Sequence, residues 1–324
     1  MFRRLALQAT AAAVAAPFAS LARAQSGGAL SIVVPYAPGG SSDRAARIIA
    51  DKLGGVLGQT VIVENKTGAG GRVAMQQTKG VAASQSVLVL ANPATMVVAP
   101  LVFKNNGYDP DKDFQPVSQV TDYEFGVAVS SSVPVKALSH LLAWLRANPK
   151  QANIGVPATG SLPHFFALMM GERAHIDVQV VGYRGSGPLA TDLIGGQVPV
   201  AVDTLDTLLP QHEAGKLRIL ATSGAKRSPF SADIPTFKEA GLDLVGTGWN
   251  ALFAPASMPK DRVARLGAAV EQVMRQSDTQ RLFHDARMVA VASTPAQAAA
   301  NMQYLRALLS DPHRWGDVGR HSGR

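Results

Sequence analysis

The residues of this chain best suited to chemistry sit in glycine-rich loops between apolar runs and helical patterns. "PYAPGGSSDRAAR", residues 35 to 47, follows the apolar run "LSIVV". Pro38 fixes one backbone angle, Gly39 and Gly40 permit close approaches, and Ser41, Ser42 or Asp43 can cap the helix that follows. A strand, a tight loop and a helix start with outward amide hydrogens attract a carboxylate or phosphate, the helix dipole contributing about 0.3 to 2 kcal/mol. The same pattern also suits an ordinary strand-to-helix turn.

Related loops occur at 64 to 74, "ENKTGAGGRVA", and at 155 to 166, "GVPATGSLPHFF", where Thr159, Gly160 and Ser161 precede a helix. Ligands of open α/β sheets collect at the carboxyl ends of strands, where such loops gather. One helix start from each of two facing domains could therefore grip an anion. Neither glycine cluster fits the GxxxxGK[ST] phosphate loop or the dinucleotide GxGxxG pattern. Ser161 and His164 have the residue types of a nucleophile and its base, but no G-x-S-x-G elbow surrounds them, and a serine at a helix start is more often a cap. The seven histidines lack HExxH or similar spacing, so no metal and no cofactor is expected. In "VVGYRGSGPLATDLIGGQVPVAVDT", residues 180 to 204, Arg184 either neutralises an anion or is solvated. Asp203, at the end of an apolar strand, either accepts from a ligand or caps the next helix.

The elements that must position these loops read as an alternation. Val/Ile/Leu-rich runs at "LSIVVPY", "TVIVEN" and "SVLVLAN" interleave with helical patterns, the signature of βαβ units in a mainly parallel sheet. In the first helix, Ala45, Ile48, Ile49, Leu53, Val56 and Leu57 form one apolar stripe. After the turn-rich "YDPDKDFQPVSQV" a second strand and helix series runs from about 123 to 246. "GTGWNALFAPASMP" reads as another extended segment, and three helical patterns close the chain. The expected fold class is α/β, each domain a mainly parallel sheet flanked by helices. Expected bounds are 1–24 as an export signal, 25–123 plus 247–324 as a discontinuous first domain, and 124–246 as the second.

The signal rests on a cationic "MFRR", an uncharged Ala-rich core and the small-x-small "ARA" at 22 to 24, with cleavage expected near Ala24. Loss of Arg3, Arg4 and Arg23 lowers the formal charge from +8 to +5, which suits attraction of small anions. No Lys/Arg run or aromatic RNP-like pattern appears, so nucleic acid is not an expected partner. The chain has no cysteine, which excludes disulfides, thiolate metal sites and a lipid-modified cysteine anchor. The expected location is the periplasm, with no lipid anchor.

Taken together, "PYAPGGSSDRAAR", "VIVENKTGAGGRVA", "YDPDKDFQPVS", "IGVPATGSLPHF", "GYRGSGPLATDLIGGQV", "DIPTFKEAG" and "GWNALFAPASMP" closely resemble the Bug family, the periplasmic substrate-binding proteins of tripartite tricarboxylate transporters. The resemblance implies a monomeric two-domain Venus-flytrap fold, with crossing strands near 124–130 and 247–254. It further implies a small carboxylate between the domains, held by backbone amides, hydroxyls and water, and delivery to the transporter's membrane subunits. Carried over by motif, the binding candidates are Tyr36, Ala37, Gly39, Gly40, Ser42 and Asp43 on one side and Thr159, Gly160, Ser161 and His164 on the other. The resemblance also implies that Asp203 selects the ligand's distal end and that no residue is catalytic. The chain departs from the family pattern at "VAASQSVLVL", which lacks an Asp-Gly-Tyr turn, and at Pro199. The alternatives are an exported hydrolase using Ser161 and His164, and a ligand sensor for a membrane signalling partner.

Overall fold

The structure, a computed structural model, describes residues 28–309. The expected signal and its cleavage site lie outside the described residues. Among the described residues, ten strands form one continuous sheet, with β4 shared between two lobes. In the first lobe, β1 (Leu30–Val34), β2 (Val61–Asn65) and β3 (Val87–Ala91) run parallel, β1 in the middle. β9 (Thr247–Pro255) joins β3 and the first part of β4 (Phe114–Ser130) antiparallel. In the second lobe, β5 (Asn153–Val156) lies between β6 (Gln179–Gly182) and β7 (Val200–Thr204), all parallel. β4 runs antiparallel to β7 and to β8 (Leu217–Thr222). Each lobe is thus a parallel trio bounded by antiparallel strands.

Strand alternation builds two cores in the first lobe. Leu30, Ile32, Leu88, Leu90 and Leu252 point to one face, where they meet Ala45, Ile49 and Leu53 of α1 (Ser41–Leu57). The same face receives Val270 and Met274 of α9 (Lys260–Met274) and Phe283 of α10 (Ser277–Asp285). Val33, Val89, Ala91, Ala251 and Phe253 point the other way, toward Met75 of α2 (Arg72–Lys79), Met96 and Met302 of α11 (Pro295–Leu309). Burial on both faces explains why these strands read as unbroken apolar runs. The expected α1 stripe packs as read, with Ile48, Val56 and Leu57 half-buried at its margin.

The second lobe repeats the plan. Leu141 and Leu145 of α5 (Leu138–Ala147) and Phe166 and Met170 of α6 (Leu162–Ala174) cover one face. Leu189 and Leu193 of α7 (Ser186–Ile194) and Leu205, Leu208 and Leu209 of α8 (Leu205–Glu213) cover the other.

"YDPDKDFQPVSQV" is the one stretch whose reading changes. It holds a short helix, α4 (Pro110–Asp113), after α3 (Ala99–Val102), and then the first seven residues of a seventeen-residue strand. Pro116 is tolerated there because the pairing of β4 with β9 shifts register between Pro116 and Ser118, a bulge that needs no donor from proline. β4 pairs with β9 as far as Glu124, and from Phe125 onward lies between β7 and β8. It therefore ties the two lobes together at the base of the cleft. β10 (Val289–Ala290) adds a short antiparallel pair to β4 on the first-lobe side.

Candidate functional site

A cavity of about 760 Å³ lies between the lobes. Its walls come from the loop between β1 and α1, the loop between β2 and α2, the start of α6, and the starts of α7 and α8. Of the residues singled out from sequence, Tyr36, Ala37, Gly40, Ser42, Thr159, Ser161 and Asp203 line it. Gly39, Asp43, Gly160 and His164 do not.

The hydrogen bonds explain that division. Asp43 accepts from the Gly39 amide at 2.8 Å, Asn65 Nδ2 at 2.9 Å and Arg47 Nε at 3.0 Å. Burial pushes its carboxyl up, but these donors more than offset that and leave it below the usual range. Its charge braces the loop from behind. In the second lobe the Gly160 amide donates to His164 Nδ1 at 2.8 Å, which fixes that nitrogen as the acceptor. Burial lowers the imidazole pKa and keeps the ring neutral, stacked on Phe165. Ser161 Oγ donates to the Ala158 carbonyl at 2.7 Å and accepts from the His164 amide at 3.4 Å. Ser161 is therefore a helix cap, and its hydroxyl has no bond to the imidazole that a nucleophile and base would require.

The α6 start is capped by the Ser161 side chain, whereas the starts of α1, α2, α7 and α8 at the cavity are not. Gly40 precedes α1, Gly185 precedes α7 and Thr204 precedes α8, and none of the three supplies a side-chain cap. The first-turn amides of a helix have no intrahelical partner, so these starts present donors and the positive ends of helix dipoles. α1 belongs to the first lobe, α7 and α8 to the second, and they approach closely. A Cβ on Gly185, whose φ is +124°, would stand 3.0 Å from Ala37 Cβ, and one on Gly40 would reach Ser186 Oγ at 4.0 Å. Ser41, which lines the cavity and is 8% exposed, has a hydroxyl with no hydrogen-bond partner in the chain. It lies near Asp206 without completing a hydrogen bond to it.

Tyr36 donates to Asn92 Oδ1 and Tyr183 to Asp192 Oδ2, both at 3.0 Å, so these rings line the cavity with their hydroxyls tied down. Ser42 Oγ donates to Asn250 Oδ1 at 2.8 Å, and Asn250 in turn donates to Thr121 at 2.9 Å, fixing α1 to β9 and β4. Sequence reading did not single out Asn92, Gly185, Ser186 or Thr204. The signal for two of them was present: "GSG" at 185 to 187 repeats the Gly/Ser chemistry of residues 39 to 42 ahead of an apolar helix.

Asp203 closes the second-lobe side of the cavity at 1% exposure. Burial raises its pKa from 3.8 to about 7; the Ser186 hydroxyl and the Thr204 amide pull it back, while the neighbouring Asp206 charge adds to the rise. Between 3.8 and about 7 the folded protein keeps a proton that the unfolded chain releases. Stability contributed by this group therefore falls as pH rises through that window, by about 1.4 kcal/mol per pH step. Asp203→Asn is expected to remove this limb from the Tm-against-pH curve of the unliganded protein and to exceed the natural protein in Tm at pH 8. Superimposable curves would show that the carboxyl titrates normally.

Among the described residues no group of three or more His, Cys, Asp or Glu side chains could hold a metal ion, and no helix is long and apolar enough to cross a membrane. Residues 45–318 match the family model described as tripartite tricarboxylate transporter family receptor. The chain is 28% identical over 297 residues to BugT of Bordetella pertussis, covering 91% of this chain and 89% of that one. It is 31% identical over 242 residues to a UPF0065 protein of Bordetella bronchiseptica, covering 75% and 72%. Among solved structures it is similar to a Rhodopseudomonas palustris protein with adipate, at TM-score 0.84, 28% identity and coverage of 89% and 97%. MatC of the same organism, with bound malate, gives 0.82, 29%, 90% and 98%. The expected periplasmic-binding-protein fold and the solute-binding rather than enzymatic class are those of these relatives. The chain belongs to the tripartite tricarboxylate transporter receptor family, the solute-binding proteins among which the Bug proteins fall.

Proposed function

We propose that this protein is an exported, monomeric receptor that captures a small organic carboxylate between its lobes and hands it to the membrane subunits of a tripartite transporter. The observation that carries this reading is the convergence of uncapped helix starts from opposite lobes on one cavity, with the buried, unpartnered Ser41 hydroxyl among them. Amides and dipoles fixed in advance hold an anion without reorganisation, and no covalent step is needed. Relatives solved with adipate and malate support the ligand class. The division into residues 25–123 plus 247–324 and 124–246 fits the passage of β4 between lobes, and the domain bounds are proposed on that basis.

The test is a thermal-shift and calorimetric panel of mono- and dicarboxylates on exhaustively dialysed protein. A ligand at a hundred times its Kd adds about 2.7 kcal/mol of stability, enough to raise Tm by several degrees. At least one acid is expected to do so. A flat response across hydroxy, keto, linear and aromatic acids would overturn the reading.

A further inference from the structure

Among the described residues two arginines line the cavity, Arg184 in the second lobe and Arg72 in the first, and Arg72 is held in place by contacts that leave its charge available. Arg72, the first residue of α2, lines the cavity. Its Nε donates to the Ala69 carbonyl at 3.0 Å, and its guanidinium carbon lies 3.6 Å from the centre of the Phe103 ring. The first contact fixes one edge of the guanidinium plane and the second covers one face. Among the described residues no carboxylate pairs with it, although other arginines of the chain, such as Arg44, Arg47 and Arg306, each have an acid partner. The Nη edge, which carries the paired donors that match a carboxylate, is not used by any of the contacts just described.

The rest of the cavity wall defines what kind of ligand body suits such a carboxylate. Pro35, Tyr36, Phe103, Tyr123, Leu162 and Pro163 give the cavity wall a largely apolar and aromatic character. At about 760 Å³ the cavity is within the range of sites that enclose drug-sized ligands, and a four-carbon acid would leave much of that apolar wall against water.

We propose that Arg72 is a specificity residue that receives a second acid group, so that the preferred ligands are dicarboxylates whose two acids are separated by an apolar chain or ring. This rests on the carboxylate reading above, with the first carboxylate at the starts of α1, α7 and α8. The guanidinium selects for the second charge, and the aromatic wall selects for the spacer over a short hydroxylated one.

The experiment compares matched pairs by calorimetry at one ionic strength: adipate against hexanoate, and terephthalate against benzoate, with malate as the short hydroxylated acid. The natural protein is expected to bind each diacid at least about tenfold more tightly than its matched monoacid, and more tightly than malate. Arg72→Gln is expected to abolish the diacid preference while changing monoacid affinity less than about threefold. Arg72→Lys, which keeps the charge and loses the fork, is expected to fall between them. Tm measured without ligand identifies a variant that fails to fold, and Arg72→Lys then carries the comparison. A diacid-to-monoacid ratio unchanged by Arg72→Gln, or a natural protein that prefers the monoacids or malate, would overturn the assignment while leaving carboxylate binding intact. Failure to bind any of the five acids, with another acid of the panel bound, would overturn this assignment alone; failure across the whole panel would overturn the parent reading and this one with it.

Discussion

Gly70→Ala is expected to weaken binding of the best ligand in the carboxylate panel by about a hundredfold or more, with the unliganded protein still folded. Gly70 lies in the first lobe between β2 and α2, at a φ of +66°, and faces the backbone of the second lobe. A Cβ there would stand 2.8 Å from the Thr159 carbonyl oxygen and 3.3 Å from Gly160 Cα and carbonyl carbon. Those are main-chain atoms of the loop whose conformation the Gly160 amide to His164 bond already fixes, so they cannot swing aside as a side-chain tip would. The lobes can relieve the overlap by separating, which moves α1 away from α7 and α8. If closure becomes less favourable by about 3 kcal/mol, apparent affinity drops by more than a hundredfold, since each 1.4 kcal/mol is about a factor of ten. The left-handed backbone conformation costs alanine about 1 to 2 kcal/mol, but open and closed forms share that cost, so it lowers Tm without altering affinity. Gly58→Ala is the control. Gly58 has a φ of +63° and open space where its Cβ would be, so it carries the same strain away from the cleft and is expected to lower Tm with affinity unchanged. Calorimetry on the three proteins checks this, and equal affinities for Gly70→Ala and Gly58→Ala would mean that this close approach is not part of the bound form.

That the lobes meet at Gly70 could not be read from the chain, although most of the elements that bring them together could. Parallel strands buried on both faces leave unbroken apolar runs, which is why β1, β3 and β7 are legible as strands from Ile32, Leu88 and Val200 and their neighbours. β4 is obscured for the opposite reason. Its first residues include Pro116 and follow directly on the acidic helix α4, and only its partner β9 reveals that a bulge accommodates the proline. The glycine and serine loops announce helix starts, yet which starts keep free amides depends on side chains arriving from elsewhere. Asn65 and Arg47 converge with Gly39 on Asp43, while His164 folds back four residues onto Gly160. Those are rotamer and tertiary facts with no one-dimensional signature. Asp203 lies between the two cases. A carboxylate at the end of an apolar strand is visible as an anomaly, but its proton is held by burial and by Asp206, three residues on and across the turn into α8.

Arg44→Ala is expected to lower the stability of the unliganded protein by about 2 kcal/mol at pH 8, by less at pH 5, and to be largely rescued by Asp206→Asn. Arg44 projects from the first turn of α1, donates through Nη1 to the Gly39 carbonyl at 2.9 Å, and pairs across the cleft with Asp206 of α8. The pair is unequal: the Asp206 side chain is 1% exposed and the Arg44 side chain 32%. Removing the arginine leaves a carboxylate buried without its counter-ion, one of whose oxygens already has no hydrogen-bond partner. Breaking a fully buried pair in this way costs about 3 to 5 kcal/mol, and the partial exposure of Arg44 scales that down. Burial raises the Asp206 pKa while the Arg44 charge holds it back, so loss of the arginine raises it further. A carboxyl with a raised folded pKa is tolerated protonated at low pH and becomes unfavourable as pH climbs toward that folded value. The deficit of Arg44→Ala must therefore grow with pH. Asp206→Asn alone leaves Arg44 with access to water and is expected to cost little; in the double variant the buried charge is gone and most of the loss returns. Denaturant melts of the four proteins at pH 5 and pH 8 give the coupling directly. A deficit that does not change with pH, or a double variant as unstable as Arg44→Ala, would mean that Arg44 stabilises the protein through its aliphatic packing and its bond to Gly39, and that the charge joining the two lobes contributes nothing measurable.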